Sequence, residues 1–355
     1  MKQSIRYIRT SDGLSLAWAE AGVGMPLVKA STWLTHLEYD WESPVWRHWN
    51  RFFSQHFRYI RHDERGCGMT DWEIGDLTVP RWVKDQERVI EAADIRQPFA
   101  LLGISQGAAT AVAYAARHPE RVSHLILYGG YATGAYKRDN ADQVRAYESL
   151  TELIRQGWDN TNPVFRQLFT SRFIPEGTPE QVEWFNELCS RTTSSEAGAA
   201  LMTAHGRIDV RDLLPRVRTP TLVLHANRDQ ITPLAQGKFL ATEIPGASFV
   251  PLDSCNHVLL DHEPAWFAFQ EAVLEFTGQD KLKSGHGDRM LDALSRRERE
   301  LLPLLCEGLS NAQIGWKLGI SEKTVRNHLS HLYRKLGVHS RAATIAFAYE
   351  HRLLG

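Results

Sequence analysis

The sequence predicts an α/β domain followed by a smaller all-α domain, and three observations support this division. Apolar runs of strand length, such as 99–104 and 220–225, alternate with helical stretches such as 108–117. This alternation is typical of a largely parallel sheet covered by helices. The polar segment that follows lacks apolar periodicity, and every pattern beyond it is helical. We therefore expect an α/β domain over 1–278, a linker over 279–292 and a helical domain over 293–355.

Length and composition fit a two-domain cytoplasmic protein. The 355 residues exceed what one compact core usually holds, and 43% of them are hydrophobic. The N-terminus lacks the apolar segment of a signal peptide, and no run approaches the ~18–20 apolar residues of a membrane-spanning helix. The four cysteines form no CxxC pair, so we expect reduced thiols. Because the sequence contains no metal-binding cluster, nucleotide loop or dinucleotide fingerprint, we expect no metal and no cofactor.

Charge is unevenly distributed along the chain. From residue 286 onward there are 11 Lys and Arg against 7 Asp and Glu, a net charge of +4, whereas the preceding residues carry −5. A basic segment on an acidic body indicates a polyanionic partner. A basic excess of this size is also compatible with an ordinary solvated surface.

Capping patterns predict three short helices in the C-terminal domain. The sequence Ser-Arg-Arg-Glu at 295–298 is a capping box, and 310–313 repeats the same device. Gly319 supplies a tight turn after the second helix, and Ser321 caps a third helix that runs to about Leu336. Short helices joined by such a turn form a helix-turn-helix.

The third of these helices has two faces of different character. Apolar residues recur at spacings of four, three and four from Val325 to Leu336, which predicts one buried stripe. The opposite face carries hydrogen-bond donors, and an α-helix fits the DNA major groove, so this face is suited to contact base edges. The alternative is the solvated face of a structural three-helix bundle. We assign base contacts to Arg326, Asn327 and Ser330, and Lys323 and Arg334 lie on the same face. Contacts to phosphates, which position the protein without reading sequence, are assigned to Asn311, Thr324, Tyr333 and Lys335.

Residues 294–348 resemble the LuxR/NarL-type DNA-binding domain nearly end to end. The matching motifs lie at 295–300, 308–311, 320–328 and 335–341. The resemblance implies binding to double-stranded DNA and a fourth helix, here over about 340–352, that often dimerises. A symmetric homodimer would favour an inverted-repeat operator.

In the α/β domain, residues 103–107 fit the pattern G-x-S-x-G around Ser105. An apolar run precedes the motif and an alanine-rich helical run follows it, so the context is strand, turn and helix. Small flanking glycines allow a strained turn to hold the serine at the end of its strand. A five-residue motif with two free positions also arises by chance, and the context argues against that reading.

A serine nucleophile needs a base and an acid that orients the base. Asp229 and His257 each follow a strand-like run, and they come after Ser105 in the order serine, acid, histidine. The alternatives are a turn-forming aspartate and a surface or capping histidine, with Asp253 and His262 as the nearest competitors. We expect Ser105, Asp229 and His257 to form a catalytic triad.

Together with the stretches 11–13, 61–71 and 117–122, these features resemble the α/β-hydrolase family over roughly residues 5–278. The resemblance implies a helical cap at about 131–212 above a pocket. Aromatic residues of the cap are suited to line an apolar ligand cavity, although packing of the cap against the sheet explains most of them individually. These aromatic residues are Trp158, Phe165, Phe169, Phe173, Trp184 and Phe185.

One stretch departs from the family pattern. The family usually places His-Gly after its third strand, and Ser31 and Thr32 take that place here. The resemblance then implies that the oxyanion hole consists of the backbone amides of Trp33 and Gln106. A side chain at Thr32 is expected to narrow the approach of a carbonyl, and losing one oxyanion donor typically costs ~10²–10³ in kcat. Catalytic competence is therefore left open.

These features predict a one-component transcriptional regulator. A small apolar ester, lactone or amide is expected to bind the hydrolase-like domain and to change DNA binding, which requires different affinities for two conformations. Two alternatives are an active serine esterase or lactonase with a secondary DNA-binding role, and an inactive hydrolase-like module that binds other proteins.

Overall fold

The chain divides into two compact units, residues 1–276 and residues 277–355. The computed structural model describes residues 2–158, 162, 164–279, 294–336, 338 and 340–350. Apart from residue 279, the linker expected over 279–292 lies outside the described residues.

Eight strands of the first unit form a single mixed sheet. The strands are β1 (Ser4–Arg9), β2 (Ser15–Ala21), β3 (Pro26–Lys29), β4 (Arg58–His62), β5 (Phe99–Ile104), β6 (Val122–Tyr128), β7 (Thr221–Ala226) and β8 (Ser248–Leu252). Their order across the sheet is β1-β2-β4-β3-β5-β6-β7-β8. β2 pairs antiparallel with β1 and β4, whereas all pairs from β4 to β8 are parallel. The expected largely parallel sheet is confirmed.

Helices cover both faces of this sheet. They are α1 (Arg47–His56), α2 (Val79–Ala92), α3 (Gly107–Arg117), α4 (Ala141–Gly157), α5 (Val164–Phe173), α6 (Pro179–Thr192), α7 (Ser195–Gly206), α8 (Leu234–Glu243) and α9 (Pro264–Thr277). Successive side chains of a strand point to opposite faces, so β5 contributes Leu102 and Ile104 to one apolar cluster and Phe99 and Leu101 to another. The first cluster includes side chains of α1 and α9, and the second includes side chains of α2, α3 and α8.

Between β6 and β7 the chain leaves the sheet and forms α4 to α7, which occupy the segment expected to be a cap. Several cap aromatics are buried in the same apolar cluster as residues of the sheet. Trp158, for example, stacks on Trp33 with ring centroids 5.6 Å apart. Packing therefore accounts for much of the aromatic content of the cap.

The second unit is helical, with α10 (Arg296–Cys306), α11 (Asn311–Leu318), α12 (Glu322–Leu336) and α13 (Arg341–Glu350). Ser295 accepts a hydrogen bond from the amide of Glu298, and Glu298 accepts one from the amide of Ser295, which completes the expected capping box. Gly319 has φ +66°, the left-handed conformation that a turn between α11 and α12 requires. The apolar stripe of α12 lies in the core of this unit together with leucines of α10.

Candidate active site and DNA-binding helix

Ser105 lies in the sharp turn between β5 and α3. Its φ is +53°, a strained value for a residue with a side chain. A Cβ atom at Gly103 would lie 2.6 Å from Cα of Ala108, and one at Gly107 would lie 2.7 Å from the carbonyl oxygen of Ser31. Only hydrogen fits at either position, so the two glycines allow the strand, the turn and the helix to pack closely around the serine.

Asp229 and His257 lie beyond the carboxyl ends of β7 and β8, and their side chains meet. Nδ1 of His257 is 2.7 Å from Oδ2 of Asp229, and the side chains are 1% and 0% exposed. The other carboxylate oxygen accepts hydrogen bonds from the amides of Ile231 and Thr232. Burial acts to raise the pKa of Asp229, but His257 and these hydrogen bonds outweigh it, and the pKa is lowered. An ionised Asp229 holds the proton of the imidazole on Nδ1 and leaves a lone pair on Nε2.

The second ring nitrogen of His257 is available for chemistry. Among the residues that the structure describes, Nε2 is buried and has no hydrogen-bond partner. Oγ of Ser105 does not hydrogen-bond to Nε2, so the structure brings the acid and the base together without a hydrogen bond between the base and the serine. The ring packs edge-on against Phe173 at 5.3 Å between centroids. A free lone pair on a buried imidazole is what a general base requires.

Asp253 and His262, the competing candidates, lie outside this arrangement. Asp253 is exposed and pairs with Arg228 at 2.7 Å, and His262 is exposed and lies 3.5 Å from Asp261. Neither side chain belongs to the Asp229–His257 pair.

The backbone amides of Trp33 and Gln106 are both free to act as donors. In the described part of the chain, neither amide donates to a protein acceptor. The side chain of Thr32, which was expected to narrow this region, is buried, and its Oγ1 accepts a hydrogen bond from Nζ of Lys29 at 2.8 Å. The hydroxyl of Thr32 is therefore engaged in the interior of the protein.

A cavity of about 80 Å³ lies beside Ser105. Trp33 and Gln106 line it together with Phe169 and Phe173 of the cap. Pockets for drug-sized ligands usually have volumes of roughly 300–1,000 Å³, so this cavity has room only for a small molecule. Of the other cap aromatics, Trp184 stacks on Tyr39 at 5.1 Å rather than facing this space.

Sequence reasoning did not identify a buried pair of side chains, one of which, His205, lines this cavity. Nε2 of His205, on α7, lies 3.1 Å from Oε1 of Glu64, and both side chains are almost fully buried. Oε2 of Glu64 accepts a long hydrogen bond, 3.4 Å, from the side chain of Gln106. The cap is thus connected through Glu64 to the residue after the nucleophile. Position 64 falls inside the stretch 61–71, whose resemblance to the α/β-hydrolase family was the available signal.

The described donors of α12 that were assigned to base contacts are exposed. Arg326 is 61% exposed at its side chain and pairs with Glu322 one helical turn earlier, at 3.0 Å. Asn327 and Ser330 are exposed on the same helix, as is Lys323. The side chain of Thr324 approaches the capping hydroxyl of Ser321, with 2.7 Å between their oxygens. The side chain of Arg334 lies outside the described residues.

The residues assigned to phosphate contacts are partly engaged within the unit. Nζ of Lys335 lies 2.7 Å from Oε2 of Glu298, whose side chain is 3% exposed. Oδ1 of Asn311 accepts a hydrogen bond from Arg341 at 3.3 Å, and Tyr333 is half-buried against the helical core. Lys335 therefore has a structural contact in addition to any role at DNA.

Membrane-spanning helices and clusters of potential metal ligands are both absent from the described residues. None of their helices combines the length and the apolar character that crossing a membrane requires. No group of three or more His, Cys, Asp or Glu side chains among them is arranged to hold a metal ion.

The fold and these two sites define a helix-turn-helix protein with an α/β-hydrolase domain, and comparison with known families agrees. Residues 34–264 match the alpha/beta hydrolase fold family, and residues 292–348 match the bacterial regulatory proteins of the luxR family. The chain belongs to the α/β-hydrolase fold family and carries a C-terminal LuxR-family DNA-binding domain. Both resemblances seen in the sequence are confirmed.

Individual relatives match the two parts separately. The AB hydrolase superfamily protein YisY of Bacillus subtilis is 28% identical over 258 residues, which are 71% of this chain and 91% of that protein. The nitrate/nitrite response regulator protein homolog of Haemophilus influenzae is 49% identical over 72 residues, 20% of this chain and 35% of that protein. The esterase EaEST of Exiguobacterium antarcticum superposes with a TM-score of 0.65 at 25% identity, covering 76% of this chain and 98% of its own.

Proposed function

We propose that this protein is a cytoplasmic transcriptional regulator in which the hydrolase-like domain binds a small ester, lactone or amide. The exposed donor face of α12 contacts base edges of double-stranded DNA through Arg326, Asn327 and Ser330. The chain acts as a homodimer on an inverted-repeat operator, with α13 as the dimerising helix. The LuxR-family match supports the DNA-binding part of this proposal.

The observation that carries the ligand-binding part is the Asp229–His257 pair with its unpartnered Nε2, in a domain whose Ser105 faces a cavity. The hydroxyl of Ser105 attacks a carbonyl carbon, and its proton passes to Nε2 of His257. Asp229 stabilises the imidazolium that forms, and the amides of Trp33 and Gln106 receive the developing oxyanion. The same groups hold an ester or amide carbonyl in place when turnover is slow.

Regulation requires the ligand to bind two conformations of the protein with different affinities. Typical allosteric coupling of about 1–3 kcal/mol changes the affinity for the second partner about 5–150-fold. The hydrogen bonds that connect His205, Glu64 and Gln106 join the cap to the nucleophile turn, so occupancy of the cavity acts on both.

The experiment uses an alkyl fluorophosphonate, which occupies the cavity covalently. Oγ of Ser105 bonds to phosphorus, the P–F bond breaks, fluoride leaves and the serine proton passes to His257. DNA fragments are first selected with the full-length protein, and the Kd for a selected fragment is then measured before and after labelling. We expect at least a several-fold change in Kd for the wild type and no change for Ser105→Ala, which cannot be labelled. An unchanged Kd for fully labelled protein would refute ligand sensing through this cavity.

A second candidate function is that of an active serine esterase. The unbonded amides of Trp33 and Gln106 favour it because they supply the donors that an oxyanion needs, and the similarity to the esterase EaEST points the same way. Steady hydrolysis of p-nitrophenyl acetate that is lost in Ser105→Ala would establish this activity. A single burst without further turnover would instead indicate a stable acyl state and favour the regulator.

A further inference from the structure

Two arginine side chains of the cap line the cavity beside Ser105. Arg138 follows the short 3-10 turn Ala135–Lys137, and Arg172 lies in the last turn of α5. Neither has a carboxylate within ion-pair distance among the described residues. Both therefore bring a positive charge to the cavity without a protein anion to neutralise it.

Arg138 is held by neutral groups. Its Nε donates to the carbonyl oxygen of Thr133 at 2.9 Å, and Nη1 lies 3.5 Å from Oε1 of Gln143. The guanidinium is 5.4 Å from the ring centroid of Tyr131. Burial lowers the pKa of Arg138, which agrees with a desolvated cation that has no opposing charge nearby.

Arg172 has a similar environment. Its Nη2 donates to the carbonyl oxygen of Gln230 at 2.6 Å. Burial lowers the pKa of Arg172, and the charge of Asp229 opposes this effect from a distance. Asp229 is not an available partner, because its carboxylate already binds His257 and two backbone amides.

Arg138 and Arg172 are half-buried, and two fully buried arginines of the same unit show the usual solution for such a charge, which is an acidic partner. Arg61 lies 2.6 Å from Asp40, and Arg65 lies 2.8 Å from Asp85. Removing a cation from water without a partner is unfavourable in proportion to its burial, so a half-buried guanidinium also gains from an anionic partner. An anion from outside the protein would supply the missing partners at Arg138 and Arg172.

We propose that Arg138 and Arg172 bind a carboxylate group of the ligand whose ester or lactone carbonyl lies at Ser105. This inference deepens the proposed function and rests on it. The ligand is then a small half-ester or a lactone acid, with a charged end in addition to the apolar part expected from the sequence. Each guanidinium keeps N–H groups with no acceptor in the described parts of the chain, and guanidinium groups match the planar geometry of a carboxylate.

The test compares monomethyl succinate, which carries one carboxylate at neutral pH, with dimethyl succinate, which carries none. Binding of each is measured by calorimetry on the full-length Ser105→Ala protein, which removes the nucleophile. A charge-assisted hydrogen bond contributes about 1.5–3 kcal/mol, so we expect the half-ester to bind at least about tenfold more tightly. Equal affinities for the two esters would overturn the proposal, as would the absence of binding by either at millimolar concentration.

Arginine variants in the same background locate the preference. Arg138→Gln and Arg172→Gln should each remove most of the preference for the half-ester and weaken binding of the diester much less, because a neutral ester carbonyl is a weaker acceptor for a guanidinium than a carboxylate is. Arg145→Gln is the control, since Arg145 is exposed on α4 and pairs with Asp142. If the preference for the half-ester survives both cavity substitutions, the carboxylate binds elsewhere and the proposal is overturned. Binding of the diester also verifies that each variant is folded.

The results separate this inference from the proposed function. If fluorophosphonate fails to label Ser105 but the half-ester is still preferred, the chemistry at Ser105 is wrong and the arginine site remains. If labelling changes DNA affinity but the two succinate esters bind equally, the regulator remains and the arginine site is wrong.

Discussion

His257 and Asp229 form a short contact of 2.7 Å between Nδ1 and Oδ2, deep in the hydrolase-like unit. The same histidine contacts Phe173 of the cap through its ring and through its backbone amide, which donates to the carbonyl oxygen of Phe173 at 2.8 Å. His257 thus connects Asp229, at the carboxyl end of β7, to the cap over the cavity. Both its tautomer and its position follow from these contacts.

Replacement of Asp229 by Asn should slow phosphonylation of Ser105 strongly. The amide no longer fixes the proton on Nδ1 and no longer stabilises an imidazolium, and comparable substitutions in serine hydrolases lower rates by about 10⁴-fold. The rate is measured by mass spectrometry during reaction with the fluorophosphonate. Asp253→Asn is the control, because Asp253 is exposed and pairs with Arg228, and its rate should match the wild type. Equal rates for Asp229→Asn and wild type would exclude Asp229 as the orienting acid.

Arg326→Ala should relax the sequence preference of DNA binding and leave the hydrolase-like unit folded. Loss of a base contact costs about 1–3 kcal/mol at the preferred base pair and little at other sequences. The measurement is selection of DNA fragments followed by Kd determination at a fixed salt concentration. Arg296→Ala is the matched control, since Arg296 is 93% exposed on α10 and pairs with Glu300. A variant that selects the same sequence as the wild type contradicts the assignment of Arg326 to base contact.

Lys335→Met should destabilise the helical unit as well as weaken DNA binding. The substitution leaves Glu298 buried without its cation, which we expect to cost about 1–2 kcal/mol because Lys335 itself is partly solvated. Hydrogen exchange of peptides from α10 and α12 in the full-length protein reports this loss. Lys323→Met, at an exposed position of α12, should affect only DNA binding. Identical exchange in the two variants would contradict a structural role for Lys335.

The pH dependence of this effect has a defined sign. Burial acts to raise the pKa of Glu298, but Lys335 and the capping hydrogen bonds outweigh it and the pKa is lowered. The stabilisation from the pair is therefore complete above the ordinary pKa of a glutamate and is lost as the pH falls. The difference between Lys335→Met and wild type should shrink in acid.

His62 should make the hydrolase-like unit sensitive to mild acid. Burial and the charge of Lys29 lower the pKa of His62 to about 3, and both ring nitrogens lack partners among the described residues. The unfolded chain takes up a proton near pH 6.5 and the folded chain does not, so stability falls by about 1.4 kcal/mol per pH unit below that point. Between pH 7 and 5, the contribution of His62 to this loss is about 2 kcal/mol of unfolding free energy. In urea unfolding, His62→Leu should therefore lose about that much less stability than the wild type over this range. His262→Leu, at an exposed site, should leave the loss unchanged, and an equal loss in all three proteins would contradict the prediction.

Local patterns were sufficient for much of the fold and for part of the site. The turn around Ser105 and the apolar stripe of α12 depend on residues close together in sequence, so periodicity and glycine spacing predicted them. Asp229 and His257 were predicted from their order in the chain and from the strands before them. The structure adds a contact of 2.7 Å between the last two, which spacing alone does not define.

Contacts between segments that are far apart in the chain could not be predicted from local sequence patterns. Glu64 and His205 are separated by 141 residues, and only the packing of the cap against the loop after β4 brings them together. Lys335 was assigned to phosphate because it lies on a basic helix, whereas its partner Glu298 is 37 residues away on α10. Arg138 and Arg172 were not singled out, because an unpaired charge is recognisable only when the surroundings of the side chain are known.

The small volume beside Ser105 has a consequence for how fast the proposed ligand binds and leaves. Under the proposed function, we expect a ligand larger than the space under Phe169 and Phe173 to enter only while the cap helices are displaced, so that its arrival is limited by a protein motion rather than by diffusion. Departure needs the same motion, and a bound molecule then stays after its concentration outside has dropped. A regulator with this property responds to the average level of its signal and ignores brief fluctuations.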